Sequence, residues 1–194
     1  MVEKNALKGE PLRDTKERNF FDIDYIPSIK NIIDPLLTSA SKTNNIHIQG
    51  NINAIFQKIS QYYSVIHAGG GAVFSENRAL LMIYRRGYWD LPKGKAETGE
   101  RIQTTAQREV MEETGIDKPE IIRQLSNSYH MYPIKNQWVL KCTHWFLMSG
   151  KKQALKPQTS EDIDQAIWVP YEQIPAKANR TYASLQPIIR ESML

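Results

Sequence analysis

Hydrophobic positions change their period along this chain, and each change marks an element. "NNIHIQG" alternates apolar and polar residues up to Gly50, as a short strand does. "NINAIFQKISQYY" follows with Ile52, Ile55, Phe56 and Ile59 at helical spacing. "SVIHAGGGAVF" and "ALLMIYRR" then read as two strands joined by a turn at "SEN". In "GYWDLPKGKAETGE" the pattern breaks down, and Gly87, Pro92, Gly94 and Gly99 make this stretch a loop. Beyond it Ile102, Ala106 and Val110 recur every fourth residue, which predicts a helix of about four turns ending at Gly115. "EIIRQLSNSYHMY" and "QWVLKCTHWFLM" read as a pair of strands joined through "PIKN", and "QAIWV" as a further short strand. "TYASLQPIIRESML" reads as a C-terminal helix interrupted or kinked at Pro187. Strands and helices are interleaved, so the expected class is a mixed α/β domain.

Before this domain the chain reads differently. Residues 1 to about 19 are polar and mixed in charge, which predicts a loosely attached segment. Apolar material begins at "FFDIDYIPSIKNIIDPLL" and is broken by Pro27 and Pro35. The expected organisation is a small α/β extension over residues 1–66 and a main domain over 67–194. The stripe of Ile and Phe on the helix of the extension needs cover, either on the main domain or in a homodimer.

Composition narrows the class. Of 194 residues, 41% are hydrophobic and 24% charged, so a packed core is expected. No apolar run approaches the roughly 18 residues of a membrane span, and the N-terminus has charges where a signal peptide needs an apolar segment. The single cysteine, Cys142, excludes an internal disulfide framework and fits a reducing cytoplasm. A net charge of +4 helps anionic ligands approach but is too small and dispersed to argue for nucleic acid. Against that basic background, "REVMEETG" is unexpected. As a helix it puts Glu109, Glu112 and Glu113 on one side within about a turn, where like charges repel. Crowded carboxylates suit a hard divalent cation such as Mg²⁺ or Mn²⁺, which would neutralise that repulsion. A solvated acidic face with an Arg108–Glu112 surface pair is the bland alternative.

The whole stretch "GKAETGERIQTTAQREVMEETGI", residues 94–116, resembles the Nudix box, with every defined position filled. The resemblance covers residues about 67 to 175 and implies a Nudix-type α/β/α sandwich with a mixed sheet. It also implies hydrolysis of a diphosphate bond in a nucleoside diphosphate linked to another group, with metal ions bridging the phosphates. Carried over by position, Glu109, Glu112 and Glu113 are the metal ligands, Glu100 assists through water or a further metal, and Arg108 holds the glutamates. In several Nudix branches a glutamate on a distant loop takes the proton of the attacking water. Within "LKPQTSEDIDQAIWV" that candidate is Glu161, with Asp162 and Asp164 behind it.

Substrate-side candidates are Arg86, Lys93 and Lys95, with Arg85 and Lys141 nearby, as cations to offset a polyphosphate. Tyr88, Trp89, Tyr132 and Trp145 could stack on a base, although aromatic residues on strands are more often core. His130 and His144 have no metal-ligand partner at useful spacing and read as structural or rim residues. "WDLPKGK" is similar to the lead-in of dinucleoside polyphosphate and diphosphoinositol polyphosphate hydrolases. About sixteen residues beyond the box, Tyr marks dinucleoside polyphosphate enzymes and Pro marks ADP-ribose enzymes. Here Tyr132 and Pro133 stand side by side, so both remain open, as do sugar nucleotides. The expected enzyme is a cytoplasmic pyrophosphohydrolase for a small phosphorylated metabolite or nucleotide. A non-catalytic nucleotide-sensing module is the alternative of a different class.

Overall fold

The computed structural model describes residues 12–14, 18–26, 28–38 and 46–194. Packing divides the chain into two compact units, Met1–Ser64 and Val65–Leu194. In the first unit, strands β1 (Leu12–Asp14), β2 (Arg18–Asp22) and β3 (Ile46–Gln49) form a small sheet in the order β1-β2-β3. Helix α1 spans Lys30–Thr38 and α2 spans Ile52–Ser60. The Asn51 side chain caps α2 by accepting from the amides of Asn53 and Ala54. Two expectations change here. Part of the supposedly loose segment forms β1 and the start of β2, the rest lying outside the described residues. Pro35, read as a break, lies inside α1, leaving its sixth position without an amide to donate. Ile23, Ile26, Ile29 and Ile33 are buried, and Lys58 Nζ donates to the Ile23 carbonyl at 2.7 Å.

The second unit is built on an eight-stranded sheet. Its strands are β4 (Ser64–Phe74), β5 (Leu80–Arg85), β6 (Tyr88–Asp90), β7 (Lys93–Lys95), β8 (Glu120–Gln124), β9 (Ser128–Ile134), β10 (Gln137–Ser149) and β11 (Ile163–Val169). The main path runs β11-β5-β4-β10-β8, with β6 on β5, β7 on β4 and β9 on β10. Side chains alternate between two cores, as strand geometry dictates. Leu80, Met82 and Trp145 join one core with Ile174 of α4 (Ile174–Ala178) and Ile188 and Ile189 of α5 (Gln186–Ser192). Leu81, Val73, Phe146 and Met148 join the other with Ala106 and Val110 of α3 (Ile102–Thr114). The sheet thus has helices on both faces, the expected α/β/α sandwich with a mixed α/β sheet.

Helix α3 lies close on β4. A Cβ at Gly69 would come within 2.7 Å of the Ala106 amide nitrogen and 2.8 Å of the Ile102 carbonyl oxygen. Only glycine lets the backbones approach so closely, and this contact fixes the height of the helix above the sheet. At its far end α3 stops at Gly115, with φ 70° and the Gly115 amide donating to Met111.

The sequence reading differs in two further places. The segment expected as one strand from Glu120 splits into β8 and β9, and both pair with β10 along the same edge. The break begins at Leu125, whose amide donates to the Trp145 carbonyl while its side chain enters the core. Pro187 does not kink a helix but sits in the first turn of α5, where its missing amide hydrogen costs nothing. Among the described residues no helix is long and apolar enough to cross a membrane.

Candidate active site

Arg108 organises the acidic face of α3. Its Nε and Nη2 donate to the two oxygens of Glu100, both at 2.9 Å. Nη1 donates to Glu109 at 2.8 Å and to Glu112 at 3.0 Å, and Nη2 also reaches the Lys95 carbonyl at 3.1 Å. One planar guanidinium therefore gathers three carboxylates from the helix and the loop before it, which a lysine's point charge could not do. Thr105 Oγ1 adds a bond to Glu100 at 2.8 Å. A Cβ on Gly94 would overlap the Glu109 carboxylate, so a larger residue there would push that carboxylate off its present position.

Glu113 stands apart from this cluster. It is 2% exposed and accepts from the Lys93 amide at 2.8 Å, with Arg85 Nη1 at 3.6 Å from its other oxygen. The Lys93 ammonium is bound to buried Asp90 at 2.6 Å. Burial pushes the Glu113 carboxyl up to about 7, against the pull of Lys93 and Arg85. Burial also raises Glu109 against the pull of Arg108. Glu100 is held down at about 2, chiefly by the bonds from Arg108. On β10, burial and neighbouring Lys93 bring the Lys141 ammonium down to about 8. The site thus combines desolvated carboxylates with cations held close by. That donor set, all carboxylate oxygen, fits a hard divalent cation. Of the glutamates that the resemblance names as ligands, Glu100, Glu109 and Glu112 meet on Arg108, and Glu113 lies against Lys93 and Arg85.

The remaining candidates are distributed around this centre. Arg86 is exposed and paired with Asp162 through bonds of 2.7 and 3.1 Å. Lys95 enters the network through its carbonyl, while its side chain is exposed. Tyr132 is half-buried on β9, edge-on to His130 at 5.7 Å. Glu161 is exposed in a single 3₁₀ turn, Thr159–Glu161. The segment before it is tied to the end of α3: the Lys156 amide donates to the Thr114 carbonyl and the Gln158 amide to the Glu113 carbonyl. Trp89 and Trp145 are core, whereas Tyr88 is exposed and stacks on Tyr182 with ring centroids 4.9 Å apart. His144, read as a structural or rim residue without a metal-ligand partner at useful spacing, has its Nε2 3.0 Å from His67 Nδ1. Asp90 and Thr105 were missed altogether. Neither has a spacing signal, since each acts through a partner that only the folded loop brings near.

A strand-loop-helix unit packed into an α/β/α sandwich, with an arginine-clamped glutamate array on its helix, defines a class of protein. The NUDIX domain family model matches residues 66–191, and the chain belongs to the Nudix family. Mutator protein MutT4 of Mycobacterium tuberculosis is 35% identical over 95 residues, covering 48% of this chain and 38% of that protein. The RNA pyrophosphohydrolase of a Wolbachia endosymbiont of Culex pipiens is 30% identical over 92 residues, covering 42% of this chain and 56% of its own. These matches span only about two-fifths to just over half of the relatives' length. The fold is similar to that of a Caenorhabditis elegans Ap4A hydrolase, with a TM-score of 0.50 and 21% identity over 65% of this chain and 93% of that one. It is also similar to the Escherichia coli ORF135 protein, with a TM-score of 0.52 and 15% identity over 68% and 90%.

Proposed function

We propose that the chain is a metal-dependent pyrophosphohydrolase that cleaves a diphosphate bond in a nucleoside diphosphate linked to another moiety. A dinucleoside polyphosphate is the first candidate substrate, and ADP-ribose or a sugar nucleotide is the alternative. The observation that carries this reading is Arg108 gathering Glu100, Glu109 and Glu112 on one guanidinium beside Lys93 and Lys141. A bound Mg²⁺ or Mn²⁺ would neutralise phosphate charge and polarise the attacking water. Arg108 keeps the carboxylates aimed together, and the Lys93 amide holds Glu113 in place. Arg85, Lys93 and Lys141 offset the charge of the polyphosphate, with Arg86 exchanging Asp162 for a phosphate oxygen. Tyr132, half-buried at the edge of β9, offers a ring for the base. Water oxygen attacks one phosphorus, the bridging P–O bond breaks, and the water's proton goes to a carboxylate, with Glu161 the candidate.

The test is cleavage, read by chromatography of the mononucleotide and phosphorylated fragments formed, of a panel of diadenosine polyphosphates, ADP-ribose, sugar nucleotides, oxidised deoxynucleotides, diphosphoinositols and 5′-triphosphorylated RNA, each with Mg²⁺ and Mn²⁺. Diadenosine polyphosphate is expected to give the highest kcat/KM. Binding without metal-dependent turnover across the panel would instead identify a nucleotide sensor. For Glu161→Gln the expected result is a fall in kcat of about 10²- to 10⁴-fold and a flattened acidic limb of the pH-rate profile. The sign follows from a base that works only when deprotonated. An unchanged kcat would remove Glu161 from the chemistry.

The unit Met1–Ser64 is proposed to be an appendage that sets oligomeric state or substrate preference. A chain shortened to begin at Ser64 is expected to change one of these, read by light scattering and by the same panel. A shortened chain unchanged in both would make the appendage dispensable.

A further inference from the structure

Among the described residues, one cluster of metal-ligating side chains lies outside the carboxylate array. His67 is on β4, and Cys142 and His144 are on β10, the neighbouring strand. Cys142 and His144 are two residues apart, so both point to one face of the sheet. That is the face of Phe146 and Met148, against which α3 packs. His67 shares it through the same alternation with Val73. Their ligand atoms all lie within 4.8 Å of one another. His67 Nδ1 is 3.0 Å from His144 Nε2, and Cys142 Sγ is 3.6 Å from the same nitrogen.

We propose that His67, Cys142 and His144 form a site for a borderline-soft transition-metal cation of the Zn²⁺ class, separate from the glutamate site. A tetrahedral Zn²⁺ with ordinary bonds separates two imidazole nitrogens by about 3.3 Å and nitrogen from sulfur by about 3.6 Å. The nitrogen–sulfur separation of 3.6 Å matches that geometry, and the nitrogen–nitrogen separation of 3.0 Å is about 0.3 Å short of it. His67 is the exposed member, and the third separation lies within 4.8 Å. One thiolate with two imidazoles is a donor set that selects Zn²⁺ over Mg²⁺, whereas the all-oxygen set on α3 selects the reverse. Three protein ligands leave a fourth position free, as in zinc sites that bind a further ligand. Both histidines line a cleft of about 470 Å³ that also contains Ala96, Glu97, Thr98 and Glu100. The fourth ligand therefore comes from solvent or from a molecule in that cleft, beside the loop that leads into α3. The Ala96 amide, which donates to the His67 carbonyl at 3.0 Å, ties that loop to the site. The proposal stands independently of which diphosphate the enzyme cleaves.

Cobalt titration of the metal-stripped full chain tests it, with excess Mg²⁺ present to occupy the carboxylates. Cys142 is the sole cysteine, so a thiolate-to-cobalt charge-transfer band can arise nowhere else. The expected result is a band that saturates at one Co²⁺ per chain and is bleached by Zn²⁺. His67→Gln and His144→Gln should each weaken binding by more than the 10- to 100-fold that loss of an outer-shell partner costs. His67 is exposed, so its variant keeps the test open if His144→Gln fails to fold. No band in the parent chain overturns the site and leaves a hydrogen-bonded histidine pair. A band of unchanged affinity in His67→Gln equally overturns it, reducing the site to thiolate binding alone.

Discussion

Glu112→Gln is expected to lower kcat by at least about 10²-fold while leaving the fold intact. The Glu112 side chain is 47% exposed, and among the described residues its ion pair is with Arg108 at 3.0 Å. Exposed pairs of this kind contribute about 0–1 kcal/mol, which for a chain of this size shifts Tm by about 4 °C at most. The catalytic loss is larger because an amide cannot replace an ionised oxygen on a divalent cation. Forfeiting about 3 kcal/mol of charge stabilisation corresponds to about 10²-fold in rate. Glu113→Gln separates the two effects further. Glu113 is buried, and its raised pKa indicates that its charge is held at a cost. The amide oxygen of glutamine can still accept from the Lys93 amide, but Arg85, 3.6 Å from the other oxygen, loses its charged partner, so stability should change little or fall slightly while activity falls strongly. Calorimetry, Mn²⁺ binding and kcat at saturating Mg²⁺ read the three quantities separately. Wild-type turnover in both variants would sink the assignment.

The second large effect is expected from Arg108→Lys. The guanidinium makes five hydrogen bonds to Glu100, Glu109, Glu112 and the Lys95 carbonyl. Lysine keeps the charge but has three donors and no fork, so it cannot hold both oxygens of Glu100 and two more carboxylates at once. Without that clamp the carboxylates repel and splay. Metal affinity should fall about 10- to 100-fold, the cost typical of losing an outer-shell partner. Because the clamp acts through the ligands, kcat should recover partly at high Mg²⁺, whereas in Glu112→Gln it should not. Arg108→Gln, lacking the charge too, should recover less than the lysine variant. Mn²⁺ affinity unchanged in Arg108→Lys would mean that the carboxylates are positioned by the backbone alone.

How much of this was legible in the sequence depends on how local each feature is. The strand-loop-helix unit was readable because β4, α3 and the Gly115 cap are each written in contiguous residues. Fours-spacing at Ile102, Ala106 and Val110 put those residues on the inner face, and all three pack into or against the core below α3. The division of labour among the glutamates was not readable. Glu113 lies one residue from Glu112, yet it is buried against Lys93 and Arg85, which the sequence places 20 and 28 positions earlier. The break between β8 and β9 depends on Leu125 finding a core pocket, and no local pattern marks it. The proximity of His67 to Cys142 and His144 arises only when β4 and β10 become neighbours. Long-range strand pairing is where local patterns stop informing.

The attachment of residues 156–158 to α3 bears on how this protein can change. Both bonds are main chain to main chain, from the Lys156 and Gln158 amides to the Thr114 and Glu113 carbonyls. Such bonds satisfy helix-end carbonyls that would otherwise lack partners, and they make no demand on side-chain identity. The turn carrying Glu161 therefore follows an anchor on the end of α3 that is made by backbone alone. The exposed side chains of Thr159 and Ser160 can be exchanged without loosening that anchor, whereas Asp162, at φ 58° and paired with Arg86, is held. A library randomised at Thr159 and Ser160, with Glu161 kept for the proposed proton transfer, would be mostly folded protein, differing in selectivity.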